Sequence, residues 1–80
     1  MGVKDAVAER FIQLCKERKI KTNELANISG VTPSTAYSML NKERRDISIT
    51  TIKKLCDGLE ITLGEFFSTP EFDNLEQEIK

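Results

Sequence analysis

The chain has 80 residues, of which 39% are hydrophobic and 31% charged, and its net charge is −1. This length supports one domain with one small core, and the composition is typical of a soluble globular protein. No apolar run approaches the roughly 20 residues of a transmembrane helix, and no signal peptide is visible in the charged opening segment GVKDAVAER. We therefore expect a cytoplasmic protein without a membrane partner.

The chain has no histidine and two cysteines, Cys15 and Cys56. Both cysteines fall on apolar faces of predicted helices, which indicates buried free thiols. Without a histidine or a close cysteine pair, we expect neither a metal site nor a Cys–His nucleophile. The sequence also lacks a Gly-rich phosphate loop and a convincing carboxylate pair. We therefore expect no enzyme activity, no cofactor and no small-molecule ligand.

Charge is distributed unevenly along the chain. Residues 1–45 contain nine Lys/Arg and five Asp/Glu, so their net charge is 9 − 5 = +4. Residues 46–80 contain three Lys/Arg and eight Asp/Glu, so theirs is 3 − 8 = −5. A basic half followed by an acidic half is typical of a protein that turns one face toward phosphates.

A first helix is predicted from about Lys4 to Arg18, because apolar residues recur there at helical spacing. Its inner residues are Val7, Phe11, Leu14 and Cys15. The basic segment KERKIK that ends this helix has two interpretations, a solvated end or a phosphate contact from Lys19 or Lys21. The residues alone do not choose between them.

Residues 22–41, TNELANISGVTPSTAYSMLN, predict two short helices joined by a glycine turn. Thr22 and Thr32 are predicted N-caps, Pro33 suits the first helical position, and Gly30 permits the positive φ of a sharp turn. The predicted inner residues are Leu25, Ala26, Val31, Ala36, Met39 and Leu40. The predicted outer residues are Ser34, Thr35, Tyr37, Ser38 and Asn41. A short helix with a small polar outer face, held by its predecessor, is what a major-groove reader needs.

Three cations, Lys42, Arg44 and Arg45, follow the second of these helices directly. Isolated loop charges are usually only solvated. A basic loop at the end of a groove-reading helix, however, lies where the DNA backbone passes, which favours phosphate contacts here.

Two further helices are predicted after this loop. Ser48 is the expected N-cap of the fourth, and a close packing contact is expected at Gly58. The predicted inner stripe of the fourth helix is Ile49, Ile52, Leu55, Cys56 and Leu59. Thr62 and Glu65 form a capping box that opens a fifth helix. Its Phe66 and Phe67 are expected in the core, and Pro70 is expected to end it.

The chain divides into a helix-turn-helix domain, residues 1–69, and an acidic tail, residues 70–80. Phe72, Leu75 and Ile79 recur in the tail at spacings of three and four. The tail is either a short amphipathic helix, docked on its own domain or on a partner subunit, or it frays.

Four stretches between Phe11 and Phe67 carry a recognisable pattern, FIQLCKERKI, TNELANISGVT, STAYSMLN and SITTIKKLCDGLEITLGEFF. Together they resemble the Cro/repressor-type (XRE family) helix-turn-helix domain. The residues that fit its motif are Leu25, Ala26, Gly30, Val31, Thr32 and Asn41. The resemblance implies an all-α, compact five-helix bundle of the lambda-repressor type that binds DNA, usually as a dimer.

The resemblance also implies roles for individual positions. The expected base-reading residues are Pro33, Ser34, Tyr37 and Ser38. The expected phosphate contacts on the motif are Thr22, Asn23, Thr35 and Asn41. Lys21, Lys42, Arg44 and Arg45 complete the predicted phosphate set.

The chain departs from the family pattern at several positions. Cys15 and Leu40 replace a buried Arg–Glu pair, which should be neutral or stabilising because two charges no longer need desolvation. Lys42 replaces a Gly, so either it is left-handed or the third helix runs longer. Glu60 replaces the Gly that ends the fourth helix. Long base-reading side chains are absent, so specificity would come from Tyr37, from water or from DNA shape.

These observations predict a small transcriptional regulator, expected to be a repressor, that binds double-stranded DNA with helix 32–41 in the major groove. A homodimer on a palindromic operator is the expected assembly. The alternative is a protein-interaction module, antitoxin-like or an adaptor, built on the same scaffold.

Overall fold

The computed structural model describes residues 2–41, 46–75, 77 and 79. These residues form six α-helices, α1 (Val3–Arg18), α2 (Thr22–Ser29), α3 (Pro33–Leu40), α4 (Ile49–Gly58), α5 (Leu63–Phe67) and α6 (Pro70–Asp73). The expected all-α bundle is confirmed, and the tail adds the short α6. Within the described ranges, no helix is both long and apolar enough to cross a bilayer.

An aromatic cluster closes the core between α1, α5 and α6. Phe66 is fully buried, and its ring centroid lies 4.4 Å from that of Phe11. Phe67 and Phe72 complete the cluster, with centroids 4.8 Å apart. Phe72 thus docks the start of the tail on its own domain, whereas Ile79 is 86% exposed.

The helices α1, α2 and α4 end in the same backbone motif. A left-handed residue, Lys19, Gly30 or Glu60, follows each helix at φ 55°, 70° and 58°. The N–H of the next residue bonds back to a carbonyl five residues earlier, as in Ile61 N–H to Cys56 O at 3.0 Å. This Schellman arrangement satisfies carbonyls that would otherwise lack partners. The positive φ expected at Gly30 is confirmed. After α4, the left-handed residue is Glu60, which replaces a glycine of the family pattern.

Three predicted caps are confirmed, since the side chains of Thr32, Ser48 and Thr62 accept first-turn N–H groups. The predicted cap at Thr22 is wrong, because the N-cap of α2 is Lys21 and Thr22 is already helical. The cause is Glu24, whose carboxylate accepts the Lys21 N–H at 3.4 Å. That acceptor sits at the third helical position, where it satisfies the backbone without a hydroxyl cap.

Two other predictions are corrected. Ile49 does not join the inner stripe of α4, since it is 59% exposed in the first turn, one turn before the buried Ile52. Pro70 does not end α5, which stops at Phe67. Pro70 instead starts α6, because the fixed φ and missing N–H of proline suit a first helical position.

The α2–α4 contact depends on a glycine. A β-carbon at Gly58 would overlap Ser29 Oγ, and would lie 3.0 Å from Ser29 Cβ and 3.2 Å from Ser29 Cα. The close packing expected at Gly58 is therefore confirmed. It fixes the helix-turn-helix unit against α4.

Candidate nucleic-acid interface

The helix α3 has one buried and one exposed face. Ala36 and Met39 are 0% and 3% exposed, and they turn toward α1 and the core. Tyr37 is 52% exposed on the opposite side. This division follows from the Gly30 turn, which sets α3 across α2 so that its small inner residues can approach the core.

A continuous polar stripe runs along the exposed face of α3. Ser34, Tyr37, Ser38 and Asn41 are all exposed, and their spacings of three and four place them on one side of the helix. No residue of α3 is charged. The predicted base-reading set, with the exposed Pro33 at the first helical position, is thus brought together on one surface.

The first turn of α3 is organised by two threonines. Thr32 Oγ1 accepts the Thr35 N–H at 3.3 Å and lies 2.9 Å from Thr35 Oγ1. Because the two hydroxyls share one hydrogen bond, one hydroxyl proton of the pair is left to donate outward. Pro33 has no N–H, so the Ser34 N–H is the first-turn amide without a protein partner among the described residues. Both free donors suit an anionic oxygen.

The start of α2 presents the other predicted phosphate contacts that the structure describes. Lys21 and Asn23 are exposed, and Thr22 is half-buried. Their location at a helix N-terminus suits an anion, although the Lys21 N–H is already bonded to Glu24. The predicted contacts Lys42, Arg44 and Arg45 lie outside the described residues.

An acidic residue that the sequence did not single out lies beside the predicted interface. Asp46 lines a shallow cleft of about 160 Å³ between α3 and the start of α4. Thr35 and Ser38 form the α3 side of this cleft, and Ser48 and Thr51 form the α4 side. An exposed carboxylate so close to a predicted phosphate contact would repel a phosphate that approached it.

A second residue absent from the sequence prediction is Lys4. Its side chain is buried, with 4% exposure, and its ammonium donates a hydrogen bond to the Asn41 carbonyl at 2.6 Å. The signal was available, because Lys4 precedes Val7, Ala8 and Phe11 by three, four and seven residues. Lys4 was not predicted on the inner face of α1 because only apolar residues were assigned to that face.

The thiols offer no reactive group. Cys15 and Cys56 are free and buried in the core, as predicted. Burial raises the pKa of the Cys15 thiol, and burial with the nearby Asp57 carboxylate raises that of Cys56. Both thiols therefore stay protonated, and therefore weakly nucleophilic, at neutral pH.

The comparisons with known proteins agree with this geometry. The family model of the Cro/C1-type HTH DNA-binding domain matches residues 10–71. The crystal structure of the prophage Lp1 protein 11 is similar, with a TM-score of 0.83 and 28% sequence identity. The alignment covers 94% of this chain and 100% of that one. No curated protein matches the chain significantly.

Proposed function

Because the chain belongs to the family of Cro/C1-type helix-turn-helix DNA-binding domains, we propose that it is a small cytoplasmic transcriptional repressor that reads duplex DNA with α3. The observation that carries the proposal is the uncharged, exposed stripe of Ser34, Tyr37 and Ser38 opposite the buried Ala36 and Met39. A helix eight residues long with this division fits a major groove about 12 Å wide.

The side chains of this stripe differ in how well they can discriminate between bases. Serine hydroxyls donate or accept and therefore discriminate weakly between bases. Tyr37 is the largest exposed side chain on α3, and its ring can contact a thymine methyl while its hydroxyl bonds to a base edge or a phosphate. Much of the sequence preference is then supplied by Tyr37, by bridging water and by DNA shape.

Charged contacts to phosphate must come from groups outside α3, since α3 has no charged residue. The cations proposed for this role are Lys21, Lys42, Arg44 and Arg45. The hydroxyl and amide donors at the first turn of α3 add uncharged contacts. Four cations per subunit give a slope of log K against log salt of about −3.6, at about −0.9 per neutralised phosphate.

A dimer on a palindromic operator completes the proposal. One subunit with few phosphate contacts binds weakly at physiological salt. Two subunits on half-sites about one helical turn apart double both the anchoring and the reading surface. The expected slope for the dimer is then about −7.

The test separates anchors from readers. Selection from random DNA supplies a site, and binding to that site and to random duplex is measured across salt concentrations. Lys21→Ala should weaken both complexes and reduce the dimer slope by about 1.8, because two phosphate contacts are lost. Tyr37→Phe and Ser34→Ala should instead reduce the ratio of specific to random affinity and leave the slope unchanged.

Lys16→Ala is the matched control, since Lys16 is an exposed lysine on α1 that is not among the proposed phosphate contacts. Lys16→Ala removes one positive charge, as Lys21→Ala does, but it should leave the slope of log K against log salt unchanged. Absence of salt-dependent binding to any duplex, even at low salt, would remove the DNA-reading proposal. That result would favour the protein-interaction alternative.

A further inference from the structure

A polar contact joins the first turn of α1 to the C-terminal end of α3. Lys4 lies in the first turn of α1, and Asn41 is the C-cap of α3, 37 residues later. The contact is short, 2.6 Å from Nζ to the carbonyl oxygen, and the lysine is 96% shielded from solvent. A charged donor held this closely to a neutral carbonyl is among the stronger hydrogen bonds in a protein.

The location of Lys4 is unfavourable for α1 itself. A cation in the first turn opposes the macrodipole of its own helix. The same cation at the C-terminus of α3 complements that helix, whose last carbonyls carry partial negative charge. The contact of Lys4 therefore stabilises the C-terminal end of α3 and opposes the macrodipole of α1.

The end of α3 has a different backbone geometry from the ends of α1, α2 and α4. The helices α1, α2 and α4 end in a left-handed residue whose amide and successor bond back to the helix. Asn41 is extended, at φ −76° and ψ 117°, and its N–H bonds to Ser38 O at 3.1 Å. The chain thus leaves α3 in an extended direction, with its first carbonyl beyond the helix held from α1.

We infer that Lys4 is a positioning residue for DNA recognition, which acts by fixing the C-terminal end of α3. Asn41 is the last member of the exposed stripe, and it directly precedes in sequence the segment with the predicted phosphate contacts Lys42, Arg44 and Arg45. Because the Lys4 ammonium is buried and already bonded, it does not itself contact phosphate. The inference rests on the proposed function of α3, since it specifies how the reading surface is held.

The test compares Lys4→Met with Lys16→Met. Methionine keeps most of the apolar volume of lysine and removes the donor, and Lys16 loses the same charge from an exposed site on the same helix. Affinity for a selected site and for random duplex is measured at a temperature where circular dichroism shows all proteins folded. Amide hydrogen exchange at Asn41 reports the last turn of α3.

Lys4→Met should accelerate exchange at Asn41 and lower the ratio of specific to random affinity by roughly fivefold, the size typical of indirect coupling. Lys16→Met should leave both within twofold. A purely structural lysine would lower the melting temperature alone and leave the ratio for folded protein unchanged, which would overturn the inference. An equal loss on both DNAs with a smaller salt slope would identify a phosphate contact and overturn it too.

Two further variants keep the inference testable if Lys4→Met does not fold. Lys4→Arg retains a charged donor and Lys4→Gln a shorter neutral one. Among folded variants, loss of the specific-to-random ratio should follow loss of exchange protection at Asn41. Lost protection with an unchanged ratio would refute the inference. Absence of DNA binding by the unaltered protein would instead refute the proposed function. This outcome is distinguishable from failure of the inference, which shows only in the Lys4 variants.

Discussion

Replacing Gly58 with alanine tests the α2–α4 contact on which the placement of the helix-turn-helix unit depends. An added β-carbon would overlap Ser29 Oγ, and would lie only 3.0 Å from Ser29 Cβ and 3.2 Å from Ser29 Cα. Rotation of the serine side chain relieves the first overlap. The other two involve the β-carbon and the backbone, so they require a shift of one helix by a few tenths of an ångström.

The two opposing contributions can be estimated. Alanine in place of glycine in a helix stabilises by up to about 1 kcal/mol, whereas inserting a methyl group into a packed contact costs about 1–3 kcal/mol. Gly58→Ala should therefore lower the free energy of unfolding by about 1 kcal/mol. Gly64→Ala is the matched control, because its β-carbon would meet only Thr62 Oγ1, at an ordinary 3.7 Å. That variant should raise the free energy by about 0.5–1 kcal/mol.

Urea denaturation followed by circular dichroism measures both variants. The rescue variant combines Gly58→Ala with Ser29→Gly, which removes the side chain that the new methyl group meets. A double-mutant cycle should then show a coupling of about 1–2 kcal/mol between the two sites. If Gly58→Ala stabilises the protein as much as Gly64→Ala does, the close approach of α2 and α4 at this point is refuted.

Three further predictions concern a helix end, the interface and the core. Glu60→Gly should stabilise the protein by about 1 kcal/mol and raise its melting temperature, because Glu60 is left-handed at φ 58° and only glycine adopts that conformation without cost. An unchanged or lower melting temperature would contradict this reasoning. Asp46→Asn should tighten DNA binding by about two- to fivefold at low salt and less at high salt, because a carboxylate beside the proposed phosphate contact Thr35 is removed. Equal affinities at all salt concentrations would show that Asp46 does not face DNA. Burial raises the pKa of the Cys15 and Cys56 thiols, so as pH rises the thiols of the unfolded chain ionise before those of the folded protein. The free energy of unfolding should therefore fall as pH rises above about 8.5. In urea titrations, the double variant Cys15→Ala, Cys56→Ala should lack this part of the decrease.

The elements of the fold could be read from the sequence because their signals are local. Thr32 and Pro33 mark the start of α3, and Gly30 marks the turn before it, since each acts through its own backbone. The family pattern has a glycine at the position of Glu60, but a left-handed conformation there was not predicted. Lys19 adopts the same conformation without any such signal. That helix end is held by the hydrogen bond from the Ile20 N–H to the Cys15 carbonyl and by packing of the partly buried Ile20 against the core.

The interface was only partly predictable because part of it depends on tertiary contacts. The outward face of α3 followed from spacing, and its exposure is confirmed at Ser34, Tyr37 and Ser38. Asp46 is brought beside α3 by the return of the chain into α4, which no local pattern encodes. Lys4 reaches Asn41 across 37 residues, and a lysine on an apolar stripe has no fixed interpretation until its partner is known. Their roles in DNA binding stay predictions until the variants above are measured.

Because α3 has no charged residue, the proposed function assigns base reading and phosphate binding to different parts of the chain. Counterion release supplies most non-specific affinity and requires cations, so α3 contributes little to it. In the proposed function, affinity and sequence preference are therefore carried by different residues, and we expect that each can be altered separately. A reader of small polar side chains gains discrimination only if its distance from the base edges is well defined, because a serine hydroxyl cannot bridge a gap as a long arginine does. Both ends of α3 are held accordingly, the first by the Thr32 cap and the last by the Lys4 ammonium. The smaller the proposed base-reading side chains are, the more the preference for one DNA sequence should depend on these two contacts at the ends of α3.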